Sequence, residues 1–301
     1  MTATRRSLLT GALVMAAAPP PAFSGGVDPG RIDATFVVEA EGLPARQVQV
    51  WTPPGYDAGA RALPVIYMHD GQNLLASDPR PPGPFGRWGV DQIIADLVAR
   101  QAIPPALVVA IDNSANRAGE YMPRPAFDIA MSRGIPVTTS VGHAVASRDI
   151  ASDAYLRLIV DVIKRRIDRQ YRTDPGRHAT ALMGSSMGGL LSLYGLCRRP
   201  DVFGQAACLS THWLIGEGAM IDYMRDSLPD PATHRLYFDR GTEGLDARYA
   251  PFQPLADQAV RQAGYRDGIS FETSVFPGAT HNEVSWSKRL DVPFRFLLAS
   301  G

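Results

Sequence analysis

The sequence predicts an α/β protein in which a mostly parallel central sheet carries helices on both faces, preceded by an N-terminal antiparallel hairpin. Three observations predict this class. Short apolar runs of strand length recur along the 301 residues, segments of helical periodicity separate most of them from Val65 onward, and the first two runs lie close together, as hairpin strands do. In such sheets, ligand sites form at the carboxyl ends of the strands.

The predicted strands are the apolar runs at residues 35–38, 48–51, 65–68, 107–111, 179–183, 206–209, 236–238 and 271–276. The predicted helices are residues 88–100, 153–170, 190–197 and 254–263. The helix at 153–170 has the clearest apolar stripe, and Ser152 or Asp153 can cap its start. Residues 112–150 break this alternation with little periodicity, so we expect a loop insertion that covers the ligand site.

The composition excludes several classes of partner and site. Thirty basic and thirty acidic residues give a net charge of +0 at pH 7, so no nucleic-acid surface is expected. The chain has no CxxC or HExxH motif, so no metal site is expected. Cys197 and Cys208 lie in apolar runs and are expected to be buried free thiols, with a disulfide as the alternative.

The first residues have the features of an export signal. Arg5 and Arg6 precede an apolar stretch that ends near Ala18, and small residues follow up to Ser24. The paired arginines favour the bacterial Tat route. We therefore expect a signal peptide at residues 1–24, a single α/β domain at 25–301, and a periplasmic or secreted protein without stable membrane insertion. The alternative is a cytosolic protein with an N-terminal arm.

A Gly-x-Ser-x-Gly segment, Gly184-Ser185-Ser186-Met187-Gly188, lies where a predicted strand meets a predicted helix. Its central serine, Ser186, is two residues from each glycine. In this context Gly-x-Ser-x-Gly is the nucleophile elbow, whose tight turn holds a serine hydroxyl clear at the helix N-terminus. Ser186 is the predicted nucleophile, and the Met187 amide would face the oxyanion of a tetrahedral intermediate. The alternative is a tight packing turn that needs only its glycines.

A serine nucleophile needs a general base, and in this chain order the histidine comes last. His281 follows the last predicted strand and a proline–glycine turn, so it is the predicted base. Two other histidines also follow Ser186. His212 lies one strand beyond the elbow and His234 precedes a strand, so neither is favoured.

The base needs an acid that orients it, and that acid is expected after the strand at 236–238. Asp239, Glu243 and Asp246 compete there. Asp239 lies at the strand end, where it could equally cap a turn. Asp246 is favoured because it lies far enough along to curl back toward His281, and Glu243 is the alternative acid.

The second oxyanion donor is expected in the loop that follows the strand at 65–68, which begins with His69 and Asp70. A glycine here lets the backbone approach a substrate, so the amide of Gly71 or Gln72 is the candidate. His69 and Asp70 are interpreted as a hydrogen-bonded structural pair that shapes the loop.

Several segments occur in a fixed order: YMHDGQNLL, NSANRAGEYMP, GSSMGG, LSTHW and FPGATHNEVSW. Together they resemble the putative esterase family of α/β-hydrolases, which includes siderophore (enterochelin) esterases, feruloyl and acetyl-xylan esterases and S-formylglutathione hydrolase. The resemblance runs from about residue 48 to residue 298. It implies an α/β-hydrolase fold, a Ser186–His281 catalytic pair with an acid from the GTEGLD segment, and no cofactor.

The resemblance also implies substrate-binding residues. It places Arg117, Glu120 and Tyr121 in a stretch that lines the site, and Trp213 and Trp286 on its flanks. The alternative for Arg117 and Glu120 is an ion-paired anchor of the loop.

These expectations combine into a serine hydrolase that cleaves carboxylic esters through an acyl-enzyme on Ser186. An exported location favours a small-molecule or carbohydrate-linked ester, such as a siderophore lactone or an acylated carbohydrate. One alternative is an acyltransferase that uses the same residues. The other is a non-catalytic binding protein on an esterase scaffold.

Overall fold

The structure is a computed structural model that describes residues 29–138 and 144–298. The predicted signal peptide, residues 1–24, lies outside the described residues. The strands are β1 (Arg31–Ala40), β2 (Leu43–Thr52), β3 (Val65–His69), β4 (Leu107–Ile111), β5 (Thr180–Ser185), β6 (Gln205–Leu209), β7 (Arg235–Gly241) and β8 (Phe271–Phe276). Within the described residues they form one eight-stranded sheet in the order β1-β2-β4-β3-β5-β6-β7-β8.

The pairing confirms the predicted fold class. β1 pairs with β2 and β2 pairs with β4 in antiparallel fashion, whereas the remaining neighbours are parallel. The hairpin strands are longer than the apolar runs that predicted them. β1 is an edge strand with alternating exposed residues, so half of its length carries no apolar signal.

The helices are α1 (Val90–Ala99), α2 (Arg117–Tyr121), α3 (Arg124–Ser132), α4 (Ser152–Arg157), α5 (Arg165–Gln170), α6 (Met187–Arg198), α7 (Ala219–Arg225), α8 (Gln253–Gln262), α9 (Glu283–Ser287) and α10 (Asp291–Leu298). A π-helical stretch, Leu158–Lys164, joins α4 to α5. The helix predicted at 153–170 is therefore present but locally widened. The wider turn buries three consecutive apolar side chains, Leu158, Ile159 and Val160.

Alternate residues of the central strands face two separate apolar layers. On β3, Val65 and Tyr67 belong to the layer that contains Leu190 of α6, whereas Ile66 and Met68 belong to the opposite layer. Helices α1 and α10 cover that second face. A strand buried on both sides must be apolar along its whole length, which is why the inner strands read as continuous runs.

The predicted loop insertion at 112–150 is partly helical, which corrects the expectation for this segment. It contains α2, α3 and a short 3-10 turn at Ser147–Asp149. These elements have nine residues at most, too few for a helical period to stand out among the prolines.

Candidate active site

Ser186 occupies the turn between β5 and α6 with a strained backbone. Its φ of 57° and ψ of −122° lie in a region that non-glycine residues rarely adopt. Its amide donates a hydrogen bond to Leu209 O at 2.9 Å, and its carbonyl accepts one from His212 N at 3.2 Å. The end of β6 therefore holds the strained residue in place.

The first glycine of the turn is required by close backbone contact. A Cβ on Gly184 would lie 2.8 Å from the carbonyl carbon of Gly188, closer than real Cβ atoms approach another atom. Glycine at this position therefore lets the chain reverse direction immediately after β5. This agrees with the elbow geometry that the spacing predicts.

Asp246 contacts the His281 imidazole. Asp246 Oδ1 lies 2.6 Å from His281 Nδ1, while Asp246 Oδ2 accepts hydrogen bonds from Ser210 Oγ and Gly241 N, each at 2.6 Å. Burial alone would raise the pKa of Asp246, but the contacts with His281 and Ser210 hold its pKa below the ordinary value. The carboxylate is therefore ionised at neutral pH.

The loops after β7 and β8 bring this pair together. Thr242 N and Glu243 N both donate hydrogen bonds of 3.0 Å to Ala279 O, which lies two residues before His281. Of the other candidate acids, Glu243 is exposed on the outside of this loop. Asp239 is fully buried and forms an ion pair with Arg289 at 2.8 Å.

Trp286 packs against the same imidazole. Its ring centroid lies 5.0 Å from that of His281 in an edge-to-face arrangement, and its indole Nε1 donates to Ser210 Oγ at 2.9 Å. Arg289 Nη2 donates to the same oxygen at 2.7 Å. Ser210 therefore accepts two hydrogen bonds and donates its own proton to Asp246, which fixes the orientation of that carboxylate.

Tyr249, which the sequence did not single out, and His212, which it did not favour as a base, form a pair close to Ser186. The Tyr249 hydroxyl lies 2.7 Å from His212 Nδ1, and the backbone amide of His212 donates to Ser186 O. The Tyr249 ring also packs edge-on against His281, with the centroids 5.8 Å apart. The sequence signal for His212 is its position three residues after β6, the neighbour of β5 in the sheet.

His69 and Asp70 do not pair with each other as predicted. Asp70 accepts hydrogen bonds from Arg117 Nε at 2.6 Å, from Arg117 Nη2 at 2.7 Å and from Asn113 Nδ2 at 2.6 Å. His69 Nδ1 instead lies 3.4 Å from the Tyr155 hydroxyl. Burial lowers the pKa of His69 to about 4, so the ring is neutral at neutral pH.

Of the five predicted substrate-binding residues, four are buried and one, Arg117, is partly exposed. Glu120, Tyr121 and Trp213 are fully buried and present no surface to a ligand, which corrects the prediction for these three. Arg117 keeps 31% of its side chain exposed after pairing with Asp70. Trp286 is buried beside His281.

The buried residues of that set have structural partners. Glu120 forms a bidentate ion pair with Arg46, at 2.7 and 2.8 Å, and not with Arg117. The Tyr121 hydroxyl accepts a hydrogen bond from Asp70 N, and Trp213 Nε1 donates to Gln253 Oε1. These contacts explain why such polar groups tolerate complete burial.

The predicted oxyanion donors follow two neighbouring strands of the sheet, β5 and β3. Met187 is the first residue of α6, and Gly71 and Gln72 form a 3-10 turn after β3. A Cβ on Gly71 would lie 2.7 Å from backbone atoms of Ala110 and Ile111. The missing side chain therefore lets the turn pack on β4.

Other predicted features concern metals, cysteines and membranes. Within residues 29–138 and 144–298, no group of three or more His, Cys, Asp or Glu side chains could hold a metal ion. Cys197 and Cys208 are free thiols, as expected, but only Cys208 is buried, whereas Cys197 is partly exposed. No helix in the described part of the chain is long and apolar enough to cross a membrane.

Comparison with known proteins gives a family and a set of similar folds. A family model described as "Putative esterase" matches residues 44–297. The uncharacterized protein YbbA from Bacillus subtilis (strain 168) is 23% identical over 251 residues, which make up 81% of this chain and 89% of that protein.

Two solved structures illustrate the shared fold. The enterobactin esterase FES from Shigella flexneri, determined in the presence of enterobactin, has a TM-score of 0.62 at 19% identity, over 88% of this chain and 58% of that chain. The CE1 ferulic acid esterase AmCE1/Fae1A from Anaeromyces mucronatus, in complex with ferulic acid, has a TM-score of 0.56 at 18% identity, over 89% of each chain.

The family match covers most of the chain. It includes the turn at Ser186, the 3-10 turn Asp246–Tyr249 and the loop after β8 that carries His281. The sheet order and the helices on both faces are those of an α/β-hydrolase. The protein therefore belongs to the Putative esterase family and is a carboxylic ester hydrolase with the α/β-hydrolase fold.

Proposed function

We propose that the protein hydrolyses carboxylic esters through an acyl-enzyme on Ser186, with His281 as the general base. One observation carries the proposal. The strained Ser186 and the Asp246–His281 pair lie on loops at the carboxyl edge of the sheet, and Tyr249, from the same 3-10 turn as Asp246, packs edge-on against His281. A nucleophile, an acid and a base on the loops after β5, β7 and β8 form the arrangement that acyl transfer requires.

In this mechanism His281 takes the proton of Ser186 as its Oγ attacks the ester carbonyl. His281 then gives that proton to the leaving alcohol, and water resolves the acyl-enzyme by the reverse sequence. Asp246, ionised and held by Ser210, fixes the imidazole with Nδ1–H toward its own carboxylate. It also stabilises the imidazolium that forms in each transition state.

The oxyanion is proposed to bind two backbone amides. The first is that of Met187, where the unpaired N–H groups of α6 also supply partial positive charge. The second comes from Gly71 or Gln72, in the turn after β3, and β3 is the neighbour of β5 in the sheet. These donors are proposed to act on charge that develops only during the reaction.

We propose an extracellular ester as the substrate, either a siderophore lactone or an acylated carbohydrate, for a periplasmic or secreted enzyme. The predicted signal at residues 1–24 supports the location, and similar folds solved with enterobactin and ferulic acid support the class. Arg117 is proposed to contact the substrate because its guanidinium stays partly exposed while it pairs with Asp70, in the loop after β3.

The test compares wild-type protein with Ser186→Ala and Ser185→Ala in the hydrolysis of p-nitrophenyl acetate and butyrate. Ser185 is the matched control because it precedes the nucleophile and is buried at the end of β5. We expect Ser186→Ala to lower kcat by about 10⁴-fold or more, and Ser185→Ala to leave it within a few-fold.

The same variants then separate the substrate classes. Enterobactin and feruloylated xylan fragments are assayed with wild-type protein and Ser186→Ala, and hydrolysis of either by wild type alone identifies the class. Acyl transfer to an added sugar alcohol in preference to water would favour an acyltransferase. If wild type and Ser186→Ala are equally inactive on every ester, the proposed mechanism fails and a binding function takes its place.

A further inference from the structure

The turn that follows β6 contacts both the nucleophile and the candidate acid. Ser186 N donates to Leu209 O at 2.9 Å, and His212 N donates to Ser186 O at 3.2 Å. Between these two residues, the Ser210 hydroxyl donates to Asp246 Oδ2 at 2.6 Å. The same short turn therefore connects the backbone of the strained Ser186 to the Asp246 carboxylate.

The partners of Ser210 fix the direction of its hydrogen bonds. Trp286 Nε1 and Arg289 Nη2 lie 2.9 Å and 2.7 Å from Ser210 Oγ. An indole N–H and a guanidinium N–H can donate but cannot accept, so they occupy the two lone pairs of the hydroxyl oxygen. The single proton of Ser210 is thereby left for Asp246 Oδ2.

That proton determines which oxygen of Asp246 is available to the base. Asp246 Oδ2 also accepts from Gly241 N at 2.6 Å, so this oxygen has two donors. The other oxygen, Oδ1, is left to His281 Nδ1 at 2.6 Å. Loss of the Ser210 hydroxyl would leave the carboxylate with one donor fewer and free to turn away from the imidazole.

The backbone of Ser210 has a conformation that serine rarely adopts. Its φ of 42° is positive, and the residue is fully buried. Its amide donates to Asp239 Oδ1 at 3.0 Å and to Asp239 O at 2.9 Å. Such strain persists only where the surrounding contacts over-determine it, and it is concentrated at functional sites.

The ion pair between Asp239 and Arg289 contacts Ser210 on two sides. Arg289 Nη2 and Nε donate to Asp239 Oδ1 and Oδ2 at 2.8 Å and 3.2 Å, and both side chains are buried. Asp239 binds the Ser210 amide, whereas Arg289 binds the Ser210 hydroxyl. A buried ion pair is seldom a net source of stability, because desolvation offsets the attraction. Its contacts instead indicate a role in fixing Ser210.

We propose that Ser210 is a positioning residue for the reaction, because it orients Asp246 toward His281. The Asp239–Arg289 pair holds Ser210 in the strained conformation that this role requires. The inference rests on the proposed acyl-enzyme mechanism. Ser210 transfers no proton, and its hydroxyl stays bonded to the carboxylate while the imidazolium forms and decays.

The first test compares Ser210→Gly with Ser210→Ala, which both remove the hydroxyl. Glycine adopts a positive φ without strain and alanine does not, so Ser210→Gly should be the more stable variant in urea denaturation. We nevertheless expect kcat for p-nitrophenyl butyrate to fall about 10- to 100-fold in both, with KM within about two-fold, because the catalytic geometry depends on the hydroxyl.

The matched control is Ser270→Ala. Ser270 is a buried serine just before β8, at the opposite edge of the sheet from His281, and its hydroxyl accepts from Arg266 N at 3.0 Å. This control should keep wild-type kcat. If Ser210→Gly recovers wild-type kcat while Ser210→Ala does not, the loss follows backbone strain and the positioning role is rejected.

The second test observes the contact between His281 and Asp246 directly. A short hydrogen bond to an ionised carboxylate moves the proton NMR signal of Nδ1–H downfield, and absence of the signal in His281→Gln assigns it. We expect Ser210→Gly to shift this signal upfield or to lose it by exchange, and Ser270→Ala to retain it. An unchanged signal in Ser210→Gly would overturn the orientation of Asp246 by Ser210.

The third test examines the ion pair through Arg289→Lys. Lysine keeps the positive charge, which lies 3.9 Å from Asp246 Oδ2, but lacks the fork that reaches both Asp239 and Ser210. We expect kcat to fall about 3- to 10-fold in the wild-type background and not to fall further in Ser210→Gly, because Arg289 acts through Ser210. An equal loss in both backgrounds, or none in either, rejects the role of the pair.

Fluorophosphonate labelling separates failure of this inference from failure of the mechanism. If wild-type protein is labelled at Ser186 while Ser210→Gly keeps wild-type kcat, the mechanism stands and the role of Ser210 is rejected. If wild-type protein is not labelled, the mechanism and this inference fall together.

Discussion

At the scale of single residues, three carboxylates near the site have three different roles. Asp246 accepts hydrogen bonds from Ser210 and Gly241 and contacts His281, whereas Asp239 is neutralised by Arg289 and Glu243 faces solvent. Only a buried, ionised and hydrogen-bonded carboxylate can fix an imidazole tautomer. This geometry favours Asp246 as the acid.

Asp246→Asn tests that assignment. The amide keeps the shape of the side chain but cannot stabilise the imidazolium, and it favours the wrong tautomer of His281. We expect kcat to fall by about 10²- to 10⁴-fold, with Glu243→Gln as the matched control at wild-type kcat. Steady-state hydrolysis of p-nitrophenyl butyrate measures both, and a larger loss in Glu243→Gln than in Asp246→Asn would reverse the assignment.

The predictability of single residues depends on how local their signal is. The turn at Ser186 could be predicted because its glycines lie close in sequence, and the position of His281 after the last strand could be predicted from the chain order. Tyr249 could not, since its contacts with His212 and His281 arise only when the turn after β7 folds onto the neighbouring loops. Its side chain has no local pattern that distinguishes it from an ordinary core residue.

At the scale of elements, one buried ion pair connects β2 to α2. Arg46 and Glu120 are both fully buried, and they form two parallel hydrogen bonds. The Arg46 guanidinium also lies 4.8 Å from the centre of the Tyr155 ring. Since α2 also carries Arg117, this pair holds the segment that places the Arg117 charge beside the site.

Glu120→Ala should destabilise the protein strongly. It leaves the Arg46 charge buried without a partner, which costs about 3–5 kcal/mol of unfolding free energy. Asp128→Ala breaks an exposed pair with Arg124 and should cost less than about 1 kcal/mol. Urea denaturation compares the two, and equal costs would contradict a structural role for the buried pair.

The same pairing explains why α2 and α3 could not be predicted. Helix α2 has only five residues, and its side chains are held by Arg46 and Asp70, which lie far away in sequence. A short helix stabilised by distant partners has no periodicity of its own to detect. By contrast, α6 and the 153–170 helix pack along their whole length and were predicted from their apolar stripes.

At the scale of the whole molecule, two buried neutral histidines make stability depend on pH. His69 and His212 have folded-state pKa values of about 4, against about 6.5 in an unfolded chain. Between these values the unfolded state binds protons that the folded state does not. Stability is therefore fully present above pH 6.5 and is lost as pH falls toward 4.

We expect each histidine to remove about 2 kcal/mol of unfolding free energy between pH 7.5 and pH 5.0. Urea denaturation at the two pH values measures the loss. His69→Gln should show about half of the loss that the two histidines cause together, because glutamine does not titrate and only His212 then contributes. The matched control is His178→Gln, because His178 lies at an exposed position. An equal effect of the two variants would contradict the expectation.

The overall architecture was the most predictable level because its signal is repeated along the chain. Each inner strand is buried on both faces and is therefore apolar throughout, and each is followed by segments of helical period. The edge strand β1 and residues 112–150 do not show this pattern of continuous apolar strands and helical periods. In those places solvent exposure or distant ion pairs, rather than burial of a continuous apolar run, determine the local structure.

The most direct measurement of the central claim is the site of covalent labelling. Wild-type protein is treated with a fluorophosphonate and digested with trypsin, and fragmentation of peptide 178–198 distinguishes Ser185 from Ser186. We predict a single adduct on Ser186 that forms in step with loss of esterase activity. Labelling of another serine, or full loss of activity without an adduct on Ser186, would contradict the proposed acyl-enzyme.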